Sequence, residues 1–350
     1  MDCKESTYER IHIITKKDIR NIEKAFGLRG NERHEDDATS VGLWVEEMRQ
    51  SDNNPVLLYK AQGVNDSTLC KDDFVLALQT PFQAYMLMTF GNDKVVCIDS
   101  THGTNALTTV IVVDELGEGY PVAWCLSNRT DTVLLTHFFQ SVKERSRVIA
   151  PQYIMTDDAE QLYNAWISAF GGTPHKLLCT WHVDHAWRGH LLSIKDQKLS
   201  QTIYHNLRVL LEETDKEKFE ELLKQTQAQL KSSTKTLSFS DYFTTYYVAR
   251  KSQWAACYRK GAQLNTNMYV EAFHRLLKHV YMKGKCNKRV DKCIHMLVKL
   301  ERDKAFERLR KLEKGKISSR LTVIHKRHLA SQKLSPLLLL LLLALYSDQH

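Results

Sequence analysis

Three acidic residues occupy positions where carboxylates could do chemistry. Asp99 ends the apolar start of Val95–Asn105, Asp157 directly follows the apolar run Tyr153–Thr156, and Glu271 lies on a predicted helix. Clustered carboxylates supply the hard oxygen ligands that Mg²⁺ and Mn²⁺ prefer. A pair of such ions can activate a water or hydroxyl nucleophile and stabilise the leaving oxygen of a phosphodiester. These residue types therefore indicate metal-assisted phosphoryl chemistry, provided that the fold brings them together.

Each of these acids also has a structural interpretation. Asp99 could cap a turn. Asp157 stands three residues before Glu160, which is the spacing of a helix capping box. Glu271 and Arg275 have the spacing of an ion pair on one helix face. No spacing rule joins the three acids, so the residues alone leave both interpretations open.

A second motif is Cys179-x-x-His182. A closed zinc site needs four ligands, and this motif supplies two. Cys286 and the pair Cys293-x-His295 could complete such a site only if the fold brings them close. The residues favour an unmetallated Cys and His at the end of a buried strand, with structural zinc as the alternative.

The elements around Asp99 predict a mixed α/β sheet covered by helices. Three apolar runs rich in β-branched residues, joined by short polar turns, predict an antiparallel meander. A helix, a strand, a helix and a strand then follow. The predicted bounds, in chain order, are a first strand from Val95 to Asp99 followed by a polar turn to Asn105, strands Leu107–Val113 and Tyr120–Leu126, helix Thr130–Val148, strand Tyr153–Thr156, a helix with the apolar stripe Leu162, Ala165, Trp166, Ala169 and Phe170, and strand Lys176–Val183.

The flanking segments read as helical. Residues 1–90 form a helical region with a candidate strand at Val56–Gln62, and residues 91–185 form the first part of the core. Residues 186–262 are charged, Leu-punctuated helices, such as Lys216–Lys231 and Tyr242–Ala262, and read as an insertion. Residues 263–315 complete the core, and residues 316–350 form a basic and then oligo-Leu tail that we expect to be disordered.

The helix that carries Glu271 has two predicted faces. Val270, Phe273, Leu277 and Val280 face the core, whereas Glu271, Arg275 and Lys278 share another face. The first set has the spacing of a buried helical stripe. This arrangement would present one acid and two cations together.

The net charge of +8 is unevenly distributed. Residues 271–330 hold 18 Lys and Arg against 6 Asp and Glu, whereas the rest of the chain holds 31 against 35. A basic region of this kind suits a nucleic-acid backbone, and a solvated Lys-rich helical face is the alternative. The candidate DNA-binding residues are Arg275, Lys278, Lys283, Lys285, Lys288 and Arg289.

The cysteines and the apolar tail indicate the cellular environment of the protein. None of the eight cysteines forms a Cys-x-x-Cys pair, and the first residues are polar, so we expect a reducing compartment. The apolar run Leu337–Leu345 is shorter than the roughly 20 residues that a membrane-spanning helix needs. We therefore expect no membrane partner.

Four blocks of the sequence, in order, resemble the transposase domain of Mutator-like elements and the SWIM zinc-finger host proteins derived from it. The resemblance runs from about residue 10 to about residue 310. The blocks are Cys97-Ile-Asp99-Ser-Thr-His102-Gly-Thr-Asn105, Met155-Thr-Asp157-Asp-Ala-Glu with Asn164-Ala165, Cys179-Thr-Trp181-His182-Val, and Thr266-Asn267 with Glu271-Ala-Phe-His.

The resemblance implies an RNase H-like core of the retroviral-integrase type, with a helical insertion before its last acidic residue. It implies a DDE triad of Asp99, Asp157 and Glu271 that binds two Mg²⁺ or Mn²⁺ ions, with Asp158 as the alternative second acid. Cys179 and His182 match a block whose role is structural or adjacent to the active site. The implied activity is DNA transposition in the nucleus, by nicking at transposon ends and strand transfer, in a homo-oligomer.

Two departures from the family's pattern carry an alternative function. Asn105-Ala-Leu107 runs straight into the second strand, where members often have an aromatic and several further residues. We also find no DNA-binding zinc finger before the core and no SWIM-type Cys-x-Cys…Cys-x-His after it. The alternative is a domesticated or decayed transposase-derived protein of the nucleus. It would be catalytically inactive and would serve as a DNA-binding or regulatory protein.

Overall fold

The computed structural model describes residues 32–102, 105–262, 264, 266–284 and 289–315. Within them the chain forms a mixed α/β fold around one seven-stranded sheet, as the sequence predicts. The strand order is β1-β2-β5-β4-β3-β6-β7. The strands are β1 Val56–Lys60, β2 Val75–Leu78, β3 Val95–Thr101, β4 Ala106–Val113, β5 Gly119–Ser127, β6 Tyr153–Thr156 and β7 His175–Leu178.

Eleven α-helices accompany the sheet in the described residues. They are α1 Asp37–Gln50, α2 Pro81–Gly91, α3 Thr132–Ser146, α4 Glu160–Phe170, α5 Thr180–Leu191, α6 Gln197–Glu212, α7 Lys216–Lys231, α8 Leu237–Phe243, α9 Lys251–Trp254, α10 Met268–Leu276 and α11 Val290–Glu313. Two π-helical turns follow α8 and α10, at Thr244–Val248 and Leu277–Tyr281.

The predicted meander and alternation are confirmed. β3, β4 and β5 pair antiparallel through short connections, whereas β6 and β7 add in parallel to the other side of β3. Parallel neighbours need a crossover, and α3 and α4 supply it. The buried residues of α4 are the five of the predicted apolar stripe.

The N-terminal region adds two strands to the sheet, so it is not purely helical. β1 was anticipated near Val56, but β2 was not. β2 is four residues long, and all four are buried. A strand covered on both faces shows no alternation of polar and apolar residues, so periodicity gives no signal for it.

Helices cover both faces of the sheet. α2, α3 and α4 pack on one face around the fully buried Phe138, Phe139 and Trp166. On the other face, α1, α10 and α11 pack against sheet residues that include Cys97, Met155 and Leu177. Because side chains alternate between the two faces of a strand, the residue two places beyond each of these three lies on the same face, under α1, α10 and α11.

The predicted helical insertion has a core of its own. Trp187 of α5 makes edge-to-face contacts with Phe243, Tyr247 and Trp254, all buried. The bounds of α7 agree with the predicted helix Lys216–Lys231. The continuous helix predicted over Tyr242–Ala262 is wrong, because a π-turn, the short α9 and a 3₁₀ turn at Ala256–Tyr258 divide it.

The predicted burial of Val280 is also wrong, since its side chain is 60% exposed. Val270, Phe273 and Leu277 are buried as expected. The π-turn at Leu277–Tyr281 places about one extra residue in the turn. That extra residue shifts the helical register, so Val280 leaves the stripe.

Ion pairs hold the long helix α11 to the turn between β4 and β5. Arg308 pairs with Asp114 at 2.7 Å and with Glu115, and Lys311 pairs with Glu118 at 2.8 Å. Part of the basic charge predicted for this region is therefore neutralised within the fold. None of the helices in the described part of the chain is long and apolar enough to cross a bilayer.

Candidate active site

The strand register brings Asp99, Asp157 and Cys179 into one row. Cys97 pairs with Met155 across β3 and β6, and Met155 pairs with Leu177 across β6 and β7. Two residues further along, the same register aligns Asp99, Asp157 and Cys179. Neighbouring strands lie about 4.8 Å apart, so the three side chains adjoin on the face covered by α10.

Asp99 is buried within β3, with only 8% of its surface exposed. Its Oδ1 accepts a hydrogen bond from the backbone N–H of Ser100 at 2.8 Å. Burial first, and then the charges of Asp157 and Glu271, raise the pKa of Asp99 to about 6, whereas His182 and the Ser100 N–H oppose the shift. Asp99 pairs with Thr109 in the middle of the hairpin, so the turn-capping interpretation is wrong.

Asp157 follows the last residue of β6 and is half-buried. Its Oδ1 accepts from the backbone N–H of Ala159 at 3.0 Å. α4 begins at Glu160 with Ala159 as its N-cap and has no side-chain cap, so the capping-box interpretation is wrong. Asp157 therefore keeps its other oxygen available for the space beside Asp99.

Asp158, the alternative second acid, is exposed and committed elsewhere. Both of its oxygens accept from the guanidinium of Arg250 in the insertion, one of them at 3.2 Å. The register argument points to Asp157 rather than Asp158, because successive residues of a strand face opposite sides. Asp158 thus links the sheet edge to the insertion.

Glu271 reaches the row from the first turn of α10, and it is half-buried. Its Oε1 accepts from the Cys179 thiol at an Sγ–Oε1 distance of 3.7 Å. The alternative of a Glu271–Arg275 ion pair is not seen among the described residues, where Glu271 contacts Cys179 instead. Glu271 therefore faces the strands rather than its own helix surface.

Cys179 and His182 lie at the start of α5 and not within a strand, since β7 ends at Leu178. The strand predicted to continue to Val183 is wrong, because Cys179 is the N-cap of α5 and the chain turns there. Burial raises the pKa of the Cys179 thiol, and the charge of Glu271 raises it too, whereas backbone N–H donors led by Asn267 oppose this shift. Cys179, His182 and Glu271 offer ligand atoms within 4.8 Å of one another.

The second ligand pair considered for zinc does not join this group. Cys293 is buried in α11 within the core, and His295 contacts Trp44 edge-to-face. No metal-competent cluster within the described ranges includes either residue. Cys286 lies outside the described residues.

Asn267 fixes α10 against the strands. It belongs to a motif of the resemblance but was not predicted as a site residue. Its backbone N–H donates to Cys179 Sγ at 3.3 Å, and its Nδ2 donates to the carbonyl of Ile98 at 3.2 Å. It is fully buried. The backbone and side chain of this one residue therefore link β3, α5 and the helix of Glu271. The Thr266-Asn267 block of the resemblance was the signal for it.

Two further residues position the site, and no pattern in the sequence predicted either of them. His274 contacts Thr109 Oγ1 through Nε2 at 3.1 Å, and burial lowers the pKa of His274 to about 4. The buried Arg259 donates to the carbonyl of Leu178 at 2.8 Å. They hold α10 to β4 and the end of the insertion to β7.

The predicted DNA-binding cations divide into two groups. Arg275, Lys278 and Lys283 are exposed, and Lys278 Nζ donates to Thr101 at 2.5 Å, two residues beyond Asp99. Arg289 pairs with Asp291 at 2.6 Å and donates to the carbonyls of His34 and Glu35. Lys285 and Lys288 lie outside the described residues.

An exposed aromatic side chain lies in the first turn of α5. Trp181, between Cys179 and His182, is 48% exposed. Its ring stacks on His185 with the planes 4° apart and the centroids 5.2 Å apart. Large apolar rings left in solvent next to polar sites are typical of stacking surfaces for bases.

Residues 95–186 match the family model of the MULE transposase domain. Over these residues the resemblance found in the sequence is confirmed. The match contains Asp99, Asp157, Cys179 and His182, whereas Glu271 lies beyond it. A search of the curated proteins gave no match.

Proposed function

We propose that this chain, which matches the model of the MULE transposase domain over residues 95–186, is the catalytic domain of a DDE-type DNA transposase. Its reaction is hydrolysis of a phosphodiester at a transposon end, followed by attack of the freed 3′-hydroxyl on target DNA. We also propose that the core is RNase H-like. The antiparallel meander extended by two parallel strands supports that assignment.

The observation that carries the proposal is that three acids from three separate parts of the chain come near enough to interact through their charges at Asp99, while Glu271 alone of the three belongs to a described group with ligand atoms within 4.8 Å of one another. β3, the end of β6 and α10 contribute Asp99, Asp157 and Glu271, and both neighbours raise the pKa of Asp99. A fold gains no stability from bringing carboxylates together in a partly buried place. Such an arrangement is typical of sites that bind cations or substrate.

The residues fit the divalent ions that the resemblance implies. Asp99, Asp157 and Glu271 would hold Mg²⁺ or Mn²⁺ through carboxylate oxygens, and an ion would offset their mutual repulsion. When bound, the ions supply Lewis-acid stabilisation of the nucleophile and of the leaving oxygen. Asn267 and the Ser100 N–H keep the acids in place before any substrate arrives.

Neighbouring side chains supply the contacts that a DNA strand needs. The exposed Arg275 and Lys278 share the helix of Glu271 and offer positive charge to phosphates. Trp181 offers an apolar ring to a base that has left the stack. A nuclear location and a homo-oligomer belong to the same proposal, through the DNA substrate and the resemblance.

The test is strand cleavage of duplex DNA in Mg²⁺ or Mn²⁺ by the full chain and by matched variants. Wild type is expected to nick the DNA, whereas Asp99→Asn and Glu271→Gln fall to background because each removes a charged ligand. Asp158→Asn is the control and retains cleavage, since Asp158 pairs with Arg250. Equal cleavage by wild type, Asp99→Asn and Glu271→Gln would contradict the proposal. DNA binding by a folded wild type without metal-dependent cleavage would favour the inactive, domesticated alternative.

A further inference from the structure

Cys179, His182 and Glu271 form a ligand set that differs chemically from the three acids. It offers a sulfur, an imidazole nitrogen and a carboxylate oxygen, all within 4.8 Å of one another. Thiolate and imidazole ligands select zinc-class ions, whereas Mg²⁺ and Mn²⁺ prefer oxygen alone. Three protein ligands with an open fourth position are a common arrangement for Zn²⁺.

The distances in this group are close to those of a tetrahedral zinc centre. Zn–S bonds of about 2.3 Å and Zn–O bonds of about 2.1 Å at tetrahedral angles place the sulfur and oxygen about 3.6 Å apart. The observed distance between Cys179 Sγ and Glu271 Oε1 is 3.7 Å. The ligand nitrogen of His182 lies within 4.8 Å of both atoms, so a shift of the imidazole towards them would bring the third ligand into place.

The surroundings of the group also fit a bound ion. Nδ1 of His182 is buried and has no hydrogen-bond partner among the described residues. The backbone N–H of Asn267 donates to Cys179 Sγ at 3.3 Å, which would stabilise a thiolate. Metal sites characteristically have such second contacts that orient their ligands.

We propose that Cys179, His182 and Glu271 bind one zinc-class ion that joins the start of α5 to α10. Because α5 begins the helical insertion and α10 follows it, the ion would tie the two ends of the insertion together. Glu271 belongs to both ligand sets, so a Zn²⁺ ion bound here would occupy Glu271 and prevent it from binding Mg²⁺ or Mn²⁺ together with Asp99 and Asp157. Zinc would then inhibit the metal-dependent activity. This inhibitory consequence, unlike the binding itself, rests on the proposed function.

The test is calorimetric titration of ZnCl₂ into the metal-free full chain in a buffer that contains Mg²⁺. Wild type is expected to bind one Zn²⁺. Loss of a ligand side chain should weaken binding by at least about 100-fold, beyond the effect of second contacts. Cys179→Ser and His182→Gln are the ligand variants, with circular dichroism to confirm that each is folded.

Three variants provide controls. Cys257→Ser removes another thiol of the insertion and His185→Gln removes the next histidine of α5, and both should bind Zn²⁺ as wild type does. Asp157→Asn should also keep Zn²⁺ binding while it loses Mn²⁺ binding. Conversely, Cys179→Ser should keep Mn²⁺ binding, so failure of the zinc site and failure of the proposed function are distinguishable.

Two results would overturn the inference. One is a folded wild type that binds no Zn²⁺. The other is a Cys179→Ser variant that binds Zn²⁺ as tightly as wild type, which would place the ion elsewhere. Zinc inhibition of DNA cleavage that Cys179→Ser relieves would support the shared role of Glu271.

Discussion

At the residue scale, the largest electrostatic cost of the site falls on Asp99. The side chain is buried, and its charged form is opposed by Asp157 and Glu271. Its neighbours repel it, and its backbone donor compensates only in part. A residue that destabilises its own fold in this way is typical of a site kept for binding or catalysis.

This cost predicts a pH-dependent gain in stability for Asp99→Asn in the absence of divalent ions. The folded pKa of about 6 lies above the ordinary 3.8, so the folded state binds the proton more tightly than the unfolded chain does. Stability from this group is present below about pH 4 and is lost as the pH rises through 6. The variant should therefore be more stable than wild type by about 3 kcal/mol at pH 8 and by little at pH 4.

Denaturant unfolding in a chelator at both pH values measures this difference. Asp158→Asn is the matched control, because its carboxylate is exposed and pairs with Arg250. It should show no gain at pH 8. A loss of stability in Asp99→Asn at pH 8 would contradict the cost assigned to the buried charge of Asp99.

At the element scale, the insertion is a separately packed helical unit joined to the sheet edge. Its core around Trp187 is distinct from the two cores that flank the sheet. The links to the sheet include Arg259 to Leu178 and Arg250 to Asp158. These links hold the insertion beside the strand ends from which Asp157 and Cys179 follow.

Trp187→Ala tests this division of the fold. Deletion of a large buried aromatic costs about 3–5 kcal/mol, and the fully buried Trp187 contacts three other rings. We expect amide hydrogen exchange to rise first in α5–α8, while β3–β5 stay protected. Trp181→Ala, in the same helix but exposed, should change stability by less than about 0.5 kcal/mol. Equal loss of protection in the meander would contradict a separate unit.

The sequence predicted the elements that have a clear period and missed those that do not. The α4 stripe, β6 and the bounds of α7 agree with the structure. β2 was missed because it is short and covered on both faces. Val280 was misplaced because the π-turn that exposes it depends on packing and not on a residue pattern.

The site could be predicted only residue by residue. Asp99, Asp157 and Glu271 were selected by their elements and by the resemblance, but no local rule joined them. Their proximity depends on the parallel register of β3 with β6 and on the place where α10 returns to the sheet. Both are long-range features, so a single sequence does not encode them as a spacing.

At the scale of the whole molecule, the basic charge is divided between structure and surface. Arg289, Arg308 and Lys311 are paired within the fold, whereas Arg275 and Lys278 remain exposed on the helix of Glu271. Net charge alone therefore overstates the positive charge that the described residues offer to a nucleic-acid backbone.

Salt dependence of duplex DNA binding tests this division. Each phosphate contact contributes about −0.9 to the slope of log K against log salt. Arg275→Ala and Lys278→Ala should each reduce the slope by about one, with a similar loss on any duplex sequence. Lys311→Ala should leave it unchanged, because that ammonium pairs with Glu118 and Glu307. Unchanged slopes for both exposed cations would place the DNA elsewhere.

The most direct test of the central claim is Mn²⁺ binding by the folded, metal-free chain, measured by calorimetry. Convergence of the three acids predicts one or two bound ions for wild type, lost in Asp99→Asn and Asp157→Asn and retained in Asp158→Asn. Cys179→Ser should also retain them, which separates this site from the zinc site. Two results would contradict the claim that these carboxylates form a metal-dependent active site. One is a well-folded wild type that binds no Mn²⁺, and the other is an Asp99→Asn variant that binds Mn²⁺ as wild type does.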